Sequence, residues 1–281
     1  MGRSLRRLEQ YVGIDGMALL RLYHRDDASV ADDIVTELRA LLDTLDSGSP
    51  SQDVHGVRLD VATGYRRWAA VYDAPGNSLL AHEEPVVRTI LSRSEGEPLL
   101  DAACGTGRHL SWLHAQGRRV IGIDQSQEML ARVAAKLPGA DLQVGDLVAL
   151  PLAAHSVAGT ICALALEPVA DLSGAYGELA RVVVPGGWVV TSSSHPLVSQ
   201  VLGWGTWFAD EEGRGDVESH LYSLSDHINA AVSAGLQVAE CVEVPIDSTW
   251  LASRSPQVAI GWPIAHDGLP LVLVLRFINP G

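Results

Sequence analysis

From residue 98 onward, short apolar runs alternate with segments in which apolar residues recur at helical spacing. This alternation is typical of β/α units, in which helices join parallel strands and cover the sheet. We predict strands at 99–101, 119–124, 142–144, 157–166, 188–193, 237–244 and 269–277, and helices at 108–116, 126–137, 172–183 and 225–234. The segment 245–268 is too long for a tight hairpin and lacks the regular pattern of a crossover helix, so the last strand should be antiparallel. The predicted α/β fold is a doubly wound, seven-stranded, mostly parallel sheet with functional groups at the carboxyl ends of its strands.

The charge and composition of the chain argue against several classes of partner. Its 281 residues carry a formal net charge of −14 without a cluster of Lys or Arg, so nucleic acid would be repelled. No run of about 18 apolar residues occurs, which argues against a membrane span. Three cysteines lie far apart and ten histidines show no metal-ligand spacing, which argues against disulfides and a catalytic metal. We expect a cytoplasmic protein whose partner is a small molecule, with no metal, nucleic acid or membrane.

The N-terminal part of the sequence has a different pattern. Between residues 28 and 46 apolar residues recur at helical spacing, and a polar, turn-forming stretch follows at 47–53. The apolar stripe consists of Val30, Ile34, Leu38, Leu41 and Leu45. Because such a stripe is costly to expose to water, it must pack on its own subunit or on a second copy. We predict an N-terminal helical segment over 1–60, a main domain over 61–281, and a homodimer or higher homo-oligomer.

A glycine-rich turn joins the first predicted strand of the sheet to the helix that follows. Asp101 ends the strand, and Gly105 and Gly107 come next, where a ligand can approach the backbone and the free N–H groups of a helix start. Asp124 ends the second strand, where a carboxylate can accept both hydroxyls of a ribose. A dinucleotide fingerprint would need Gly or Ala at the position of Leu110. An acid before the glycines suits instead a nucleotide with a cationic amino-acid end.

Four segments occur in an order that resembles a known enzyme family. They lie at 99–108, 120–130, 145–147 and 179–188, with the sequences LLDAACGTGR, VIGIDQSQEML, GDL and LARVVVPGGW. Together they resemble the successive motifs of class I S-adenosylmethionine-dependent methyltransferases that act on small molecules. The resemblance implies a Rossmann-like methyltransferase fold with S-adenosylmethionine as the cofactor.

The resemblance also implies roles for individual residues. The glycine turn would lie near the methionine end of the cofactor, Asp124 would bind the ribose, and Asp146 would lie near the adenine amine. Leu147 and Met129 would pack against the adenine ring. The complete set of implied cofactor-binding residues is Tyr65, Asp101, Ala103, Gly105, Gly107, Asp124, Gln125, Met129, Asp146, Leu147 and Ala163.

One residue departs from the family pattern, and one upstream segment extends the resemblance. Ala103 stands where the family usually has Gly; alanine tolerates a negative φ there but narrows the approach of a ligand. The segment 65–73 resembles one that folds over the cofactor, and its spacing places Tyr65, Trp68 and Tyr72 on one helix face. Packing into the core explains that spacing equally well.

Candidates for proton transfer lie near the ends of the predicted strands. Methyl transfer from a sulfonium is an in-line displacement, so alignment and exclusion of water can supply most of the catalysis, and a base is optional. His195 ends the fifth strand and Glu167 follows the fourth. The alternatives are a hydrogen bond within a turn for His195 and a solvated loop acid for Glu167. The predicted catalytic candidates are His195, Glu167, His220 and Tyr222.

Aromatic residues are concentrated in two connections, at about 196–224 and 245–268. The tryptophans there are Trp204, Trp207, Trp250 and Trp262. Aromatic loops above a strand-end cleft favour a cap over a flat, apolar substrate, with packing onto the sheet as the alternative. We therefore predict methyl transfer to a small aromatic or heteroaromatic metabolite of a specialised pathway. Two alternatives stay open: use of the sulfonium for a cyclisation or rearrangement, and a non-catalytic sensor that binds the cofactor.

Overall fold

The computed structural model describes residues 7–23, 28–47, 56–254 and 259–281. Its strands are β1 (Val57–Leu59), β2 (Leu99–Ala102), β3 (Val120–Asp124), β4 (Asp141–Val144), β5 (Val157–Ala163), β6 (Val183–Ser194), β7 (Trp207–Asp210), β8 (Gly213–Val217), β9 (Gln237–Pro245) and β10 (Pro270–Ile278). Its helices are α1 (Arg7–Leu22), α2 (Ala28–Asp46), α3 (Val61–Trp68), α4 (Ser78–Ser92), α5 (Arg108–Ala115), α6 (Gln127–Lys136), α7 (Leu172–Val182), α8 (Pro196–Val201), α9 (Leu224–Ser233), α10 (Ser248–Arg254) and α11 (Trp262–His266).

The chain divides into two compact units. One unit comprises Met1–Gly56 and Pro245–Leu269, and the other comprises Val57–Val244 and Pro270–Gly281. We call them the N-terminal unit and the sheet unit. The boundary at residue 60 that the sequence predicts stays a prediction.

The sheet unit confirms the predicted seven-stranded, mostly parallel sheet. Its strand order is β4-β3-β2-β5-β6-β10-β9. The interior strand β2 is parallel to both β3 and β5, and β10 is antiparallel to β6, as expected for the last strand. All four residues of β2 are buried, because helices cover both faces of a doubly wound sheet. The carboxyl ends of β2, β3 and β5 therefore lie side by side at one edge.

The sheet unit also contains elements that the sequence pattern did not reveal. A second, three-stranded sheet has the order β1-β8-β7, and two of its strands come from the connection between β6 and α9. Helix α4 begins after Asn77, whose side chain accepts a hydrogen bond from the Leu79 N–H at 3.1 Å. Pro85 lies inside this helix, where proline normally argues against one, so the pattern concealed it.

In the N-terminal unit, α1 packs against α2 and α11. The predicted apolar stripe lies on α2, where Ile34 is fully buried and Val30, Leu38, Leu41 and Leu45 are half-buried. Arg21 donates hydrogen bonds to the carbonyls of Ala265 and Asp267 at 3.0 and 2.7 Å, which joins α1 to the end of α11. Among the residues with described positions, no helix is both long and apolar enough to cross a membrane.

Candidate cofactor-binding site

A cavity of about 370 Å³ opens at the carboxyl ends of β2, β3 and β5. Every predicted cofactor residue except Gly107 lines it, namely Tyr65, Asp101, Ala103, Gly105, Asp124, Gln125, Met129, Asp146, Leu147 and Ala163. Three parallel strands bring these residues together because their carboxyl ends meet at the same edge of the sheet. The roles that the resemblance implies for them stay predictions.

The glycine turn of the cavity requires an unusual backbone. Gly105 and Gly107 have φ values of +54° and +80°, and a Cβ on Gly105 would meet nothing within 4 Å, so this side of the turn is open to a ligand. Ala103 has a φ of +55°, so the expectation of a negative φ there is wrong. Leu164, which also lines the cavity, has a φ of +55° as well. Strained residues of this kind cluster at functional sites.

Asp124 lies at the end of β3 and is buried, with 8% of its surface exposed. Its Oδ2 accepts a hydrogen bond from the Gly105 N–H and its Oδ1 accepts one from the Ser126 N–H, both at 2.8 Å. Burial raises the pKa of this carboxyl, and the two backbone N–H groups oppose the shift. A carboxylate oxygen has two lone pairs, so both oxygens can still accept ribose hydroxyls from the cavity.

Asp101 is buried at the end of β2, and its Oδ2 accepts a hydrogen bond from the Leu110 N–H at 3.0 Å. Burial raises its pKa to about 6, although the nearby His109 and Arg108 act in the opposite direction. A desolvated carboxyl that faces a cavity favours a cationic partner, because a positive charge there would restore the ionised form. This observation fits the amino group of a methionine moiety.

Two apolar side chains of the cavity wall suit contact with a flat adenine ring. Met129 and Leu147 line the cavity, and both are almost fully buried. Asp146 lies in the connection after β4, and its Oδ1 accepts a hydrogen bond from the Val148 N–H at 3.1 Å, which fixes the carboxylate at the cavity. Together with the two acids at the strand ends, these residues fit S-adenosylmethionine.

Aromatic rings on α3 and in the turn after it close another side of the cavity. Tyr65 and Tyr72 line it, and burial raises the pKa of both phenols. Trp68 lies behind them, stacked on Tyr65 at 5.7 Å and on Phe208 at 5.6 Å between ring centroids. Because α3 ends at Trp68, Tyr72 belongs to the following turn. The prediction that all three residues share one helix face is therefore wrong.

His195 acts as the N-cap of α8. Its Nδ1 accepts a hydrogen bond from the Leu197 N–H at 3.1 Å, so Nε2 carries the proton and donates to Glu243 Oε1 at 2.9 Å. Both ring nitrogens therefore have protein partners. This is the turn role that the sequence left open beside proton transfer, and His195 does not line the cavity.

The other catalytic candidates surround the segment after β5. Glu167 Oε1 accepts a hydrogen bond from the Ser194 N–H, and its carbonyl accepts one from the His220 N–H, both at 2.6 Å. Burial raises the pKa of Glu167. The Tyr222 hydroxyl donates to the Val169 carbonyl at 2.6 Å, and its ring stacks on His220. The Tyr222 hydroxyl thus contacts the segment 168–171, which lines the cavity, but Glu167, His220 and Tyr222 do not line it themselves.

The four tryptophans of the predicted aromatic cap do not line the cavity. Trp204 and Trp207 do not line the cavity, and the Trp207 ring lies against Arg214. Trp250 and Trp262 contact each other within the N-terminal unit, with ring centroids 5.7 Å apart. The aromatic rings on the cavity are instead those of Tyr65 and Tyr72.

Arg108 and His109 are among the cavity residues that were not predicted from the sequence as site residues. Arg108 and His109 form the first turn of α5 and line the cavity, and both contact the fully buried Glu83 on α4. Their position directly after Gly107 was a signal that these residues would lie at the cavity. Their partner Glu83 had no such signal, because α4 itself was not predicted. Among the residues that the structure describes, no group of three or more potential ligands could hold a metal ion.

Comparison with known proteins relates part of the chain to methyltransferases. Residues 100–191 match a family model described as a methyltransferase domain. A probable S-adenosylmethionine-dependent methyltransferase from Mycolicibacterium smegmatis is 32% identical over 124 residues, which cover 44% of this chain and 48% of that protein. A malonyl-(acyl-carrier protein) O-methyltransferase from Erwinia billingiae is 35% identical over 134 residues, which cover 47% of this chain and 53% of that protein. The chain thus spans about half the length of the curated relatives it matches.

Solved structures share the fold. An S-adenosylmethionine-dependent methyltransferase from Mesorhizobium loti has a TM-score of 0.55 at 23% identity, covering 70% of this chain and 97% of that one. The (4+2)-cyclase SpnF has a TM-score of 0.55 at 18% identity, covering 80% of this chain and 99% of that one. At these identities the likeness establishes the fold alone. On residues 100–191 the chain therefore carries a methyltransferase domain, similar in sequence and fold to S-adenosylmethionine-dependent methyltransferases.

Proposed function

We propose that this protein transfers the methyl group of S-adenosylmethionine to a small metabolite with an aromatic or heteroaromatic ring. The observation that carries the proposal is the arrangement of the cavity. Asp101 and the open glycine turn belong to β2 and the turn after it, Asp124 ends the adjacent strand β3, and Leu147 follows β4, the next strand in the sheet, with Met129 on α6. This order matches the amino acid, ribose and adenine of the cofactor.

When bound, S-adenosylmethionine supplies a methyl group on a sulfonium that an acceptor atom can displace in line. Because the positive charge disappears in this step, the protein contributes chiefly by aligning the two molecules and excluding water. Tyr65 and Tyr72 are placed to exclude water from the cavity, and their ring faces attract both a cationic group and a flat substrate. The aromatic substrate class rests on these two rings.

Where the acceptor atom must lose a proton, the candidate bases are residues near the ends of β5 and β6, which adjoin the cavity segment 168–171 without lining the cavity. Glu167 accepts a hydrogen bond from the backbone N–H of Ser194, and His195 is the next residue in the chain. A carboxyl with a raised pKa is a better base than an ordinary one, and Glu167 is of this kind. We retain both residues as candidates, with His220 and Tyr222 in supporting positions.

Mass spectrometry with methyl-labelled S-adenosylmethionine tests the proposal. Wild-type protein is incubated with a panel of phenols, indoles and aryl amines, and the products are searched for a labelled methyl group. The Asp124→Ala variant should lose the product, while Asp141→Ala, an exposed acid on the neighbouring strand β4, should keep it. Equal product from all three proteins would contradict a reaction in this cavity.

The fold shared with the (4+2)-cyclase SpnF favours one second candidate, a cyclisation or rearrangement in the same cavity. In that case the product would have the mass of the substrate and no label, and the cofactor would be recovered intact. Cofactor binding without any product from an extended panel would favour the sensor alternative.

A further inference from the structure

We propose that Asp73 is a positioning residue that holds Tyr72 against the cavity and thereby slows the exchange of S-adenosylmethionine. The inference rests on the proposed cofactor site and adds to it the group that controls how fast the cofactor enters and leaves. Its basis is a set of contacts that joins the segment after α3 to the glycine turn and to α6.

The segment 69–74, which follows α3, carries Tyr72 to the cavity wall. Its backbone hydrogen bonds are local, since the N–H groups of Val71 and Ala74 donate to carbonyls three residues earlier, at 2.9 and 3.0 Å. The Tyr72 ring contacts Trp68 at the end of α3, with ring centroids 5.0 Å apart. Local contacts of this kind fix the shape of the segment, but its position over the glycine turn depends on other side chains.

Asp73 connects this segment to the glycine turn and to α6. Its Oδ1 accepts a hydrogen bond from the Thr106 hydroxyl at 2.6 Å, and its Oδ2 forms an ion pair with Lys136 Nζ at 2.7 Å. Lys136 is the last residue of α6 and also donates to the Thr106 carbonyl at 2.9 Å. The three residues form a closed triangle of contacts, which we call the Asp73 latch. Both contacts of the carboxylate are charge-assisted, the stronger kind of hydrogen bond.

The two sides of the latch differ in burial. Thr106 lies between Gly105 and Gly107 with 1% of its surface exposed, so its hydroxyl requires an acceptor, which Asp73 supplies. The side chains of Asp73 and Lys136 are 47% and 40% exposed. Burial acts to raise the pKa of Asp73, but hydrogen bonds from Lys136 and Thr106 outweigh it and lower that pKa, so the carboxylate stays ionised at neutral pH. A half-exposed ion pair is weak enough to open without unfolding the sheet.

Opening of the latch would free one wall of the cavity. Because Tyr72 directly precedes Asp73, release of the carboxylate lets the Tyr72 ring move away from the cavity. The closed segment excludes water while the cofactor is bound, and the open segment gives the cofactor a route in and out. Asp73 therefore acts on the cofactor through Tyr72 and does not itself line the cavity.

A chase experiment measures this exchange directly. Protein loaded with radiolabelled S-adenosylmethionine is mixed with excess unlabelled cofactor, and the label that stays bound is followed in time. Asp73→Ala should release the label at least about fivefold faster than the wild type, because a hydrogen bond and an ion pair are lost. Asp141→Ala, an exposed acid on β4, should release it like the wild type. Equal rates in Asp73→Ala and wild type would overturn the latch. A wild-type protein that binds no cofactor would refute the cofactor site itself, and the latch with it.

A second background separates positioning from general destabilisation. If Asp73 acts through Tyr72, adding Asp73→Ala to a Tyr72→Ala protein should accelerate release less than about twofold further. A residue that only stabilises the fold would have the same effect in both backgrounds, and that result would contradict the proposal. If Asp73→Ala does not fold, Asp73→Asn carries the comparison, since it keeps an acceptor for Thr106 and removes the ion pair with Lys136. Faster release from Asp73→Asn supports the latch, and an unchanged rate overturns it.

Discussion

Ala103 shows how a single residue can carry strain at the site. Its φ of +55° is a left-handed conformation that costs an L-residue with a side chain roughly 1–2 kcal/mol. Ala103→Gly should therefore stabilise the fold by about 0.5–1 kcal/mol, since greater freedom of glycine in the unfolded chain offsets part of the relief. Urea unfolding measures the change. Ala102→Gly, on β2 with an ordinary backbone, should destabilise the protein, and a destabilised Ala103→Gly would contradict the assigned strain.

Asp101 makes cofactor binding dependent on pH. Burial raises the pKa of the Asp101 carboxyl to about 6. In the ligand-free protein this carboxyl is therefore mostly protonated at pH 5 and mostly ionised at pH 7. The cofactor ammonium needs the carboxylate, and binding below pH 6 must first displace the proton. We expect affinity for S-adenosylmethionine to be roughly tenfold weaker at pH 5 than at pH 7, because each unit below the pKa costs a factor of ten. Calorimetry at both values, with Asp101→Asn as the pH-independent reference, checks this; equal wild-type affinities would refute it.

The residue pattern predicted the strand-end acids because spacing alone places them at one edge of a parallel sheet. Asp101 and Asp124 each follow an apolar run, and the structure places both at the cavity. The left-handed φ of Ala103 could not be predicted from the sequence, because alanine, unlike glycine, does not indicate a backbone of this kind. The Arg108–Glu83 contact joins residues 25 apart across an unpredicted helix, so no local pattern could reveal it.

At the scale of elements, α3 is held in place by the β7–β8 hairpin. Arg67 Nε and Nη2 donate to the two oxygens of Asp210 at 3.0 and 2.6 Å, and Gly64 packs so closely on Val217 that a Cβ would lie 2.7 Å from its methyl carbon. The same helix carries Tyr65 to the cavity. The hairpin therefore positions a wall of the cofactor site.

Asp210→Asn should loosen α3, since it removes the charge from a largely buried bidentate pair. The variant leaves the Arg67 guanidinium without its ionised partner, so amide exchange in α3 should accelerate and cofactor affinity should fall. Glu212→Gln is the matched control: Glu212 is 73% exposed and 3.5 Å from Arg67, a surface pair worth about 0–1 kcal/mol. Hydrogen exchange followed by mass spectrometry gives the readout, and equal protection in both variants would disprove the role of the hairpin.

Long periodic elements could be predicted, whereas short ones depended on distant partners. The main sheet follows from seven apolar runs, and its antiparallel last strand follows from the irregular connection before it. Strands of three to five residues in the second sheet have no sequence period of their own. They form because β1 meets β8 in parallel, about 160 residues along the chain, as the register of Val57 with Gly215 shows.

At the scale of the whole molecule, exposed apolar residues of the N-terminal unit favour a homo-oligomer. The stripe on α2 is partly covered within the unit, yet Leu20 on α1 is 76% exposed and Ile260 is 52% exposed. We propose that such surface pairs with a second copy, most simply as a two-fold dimer. Light scattering at micromolar concentration should give twice the monomer mass of 29.9 kDa, and Leu20→Glu should shift it toward monomer. A monomer mass for the wild-type chain would refute this.

The central claim is that the cavity at the strand ends binds S-adenosylmethionine through the ribose acid, Asp124. Isothermal calorimetry on wild type, Asp124→Ala and the exposed control Asp141→Ala tests it most directly, with circular dichroism to confirm that each protein is folded. Charge-assisted hydrogen bonds contribute roughly 1.5–3 kcal/mol each, so Asp124→Ala should bind at least about tenfold more weakly, while Asp141→Ala should match the wild type. Unchanged affinity in a folded Asp124→Ala protein would contradict the account.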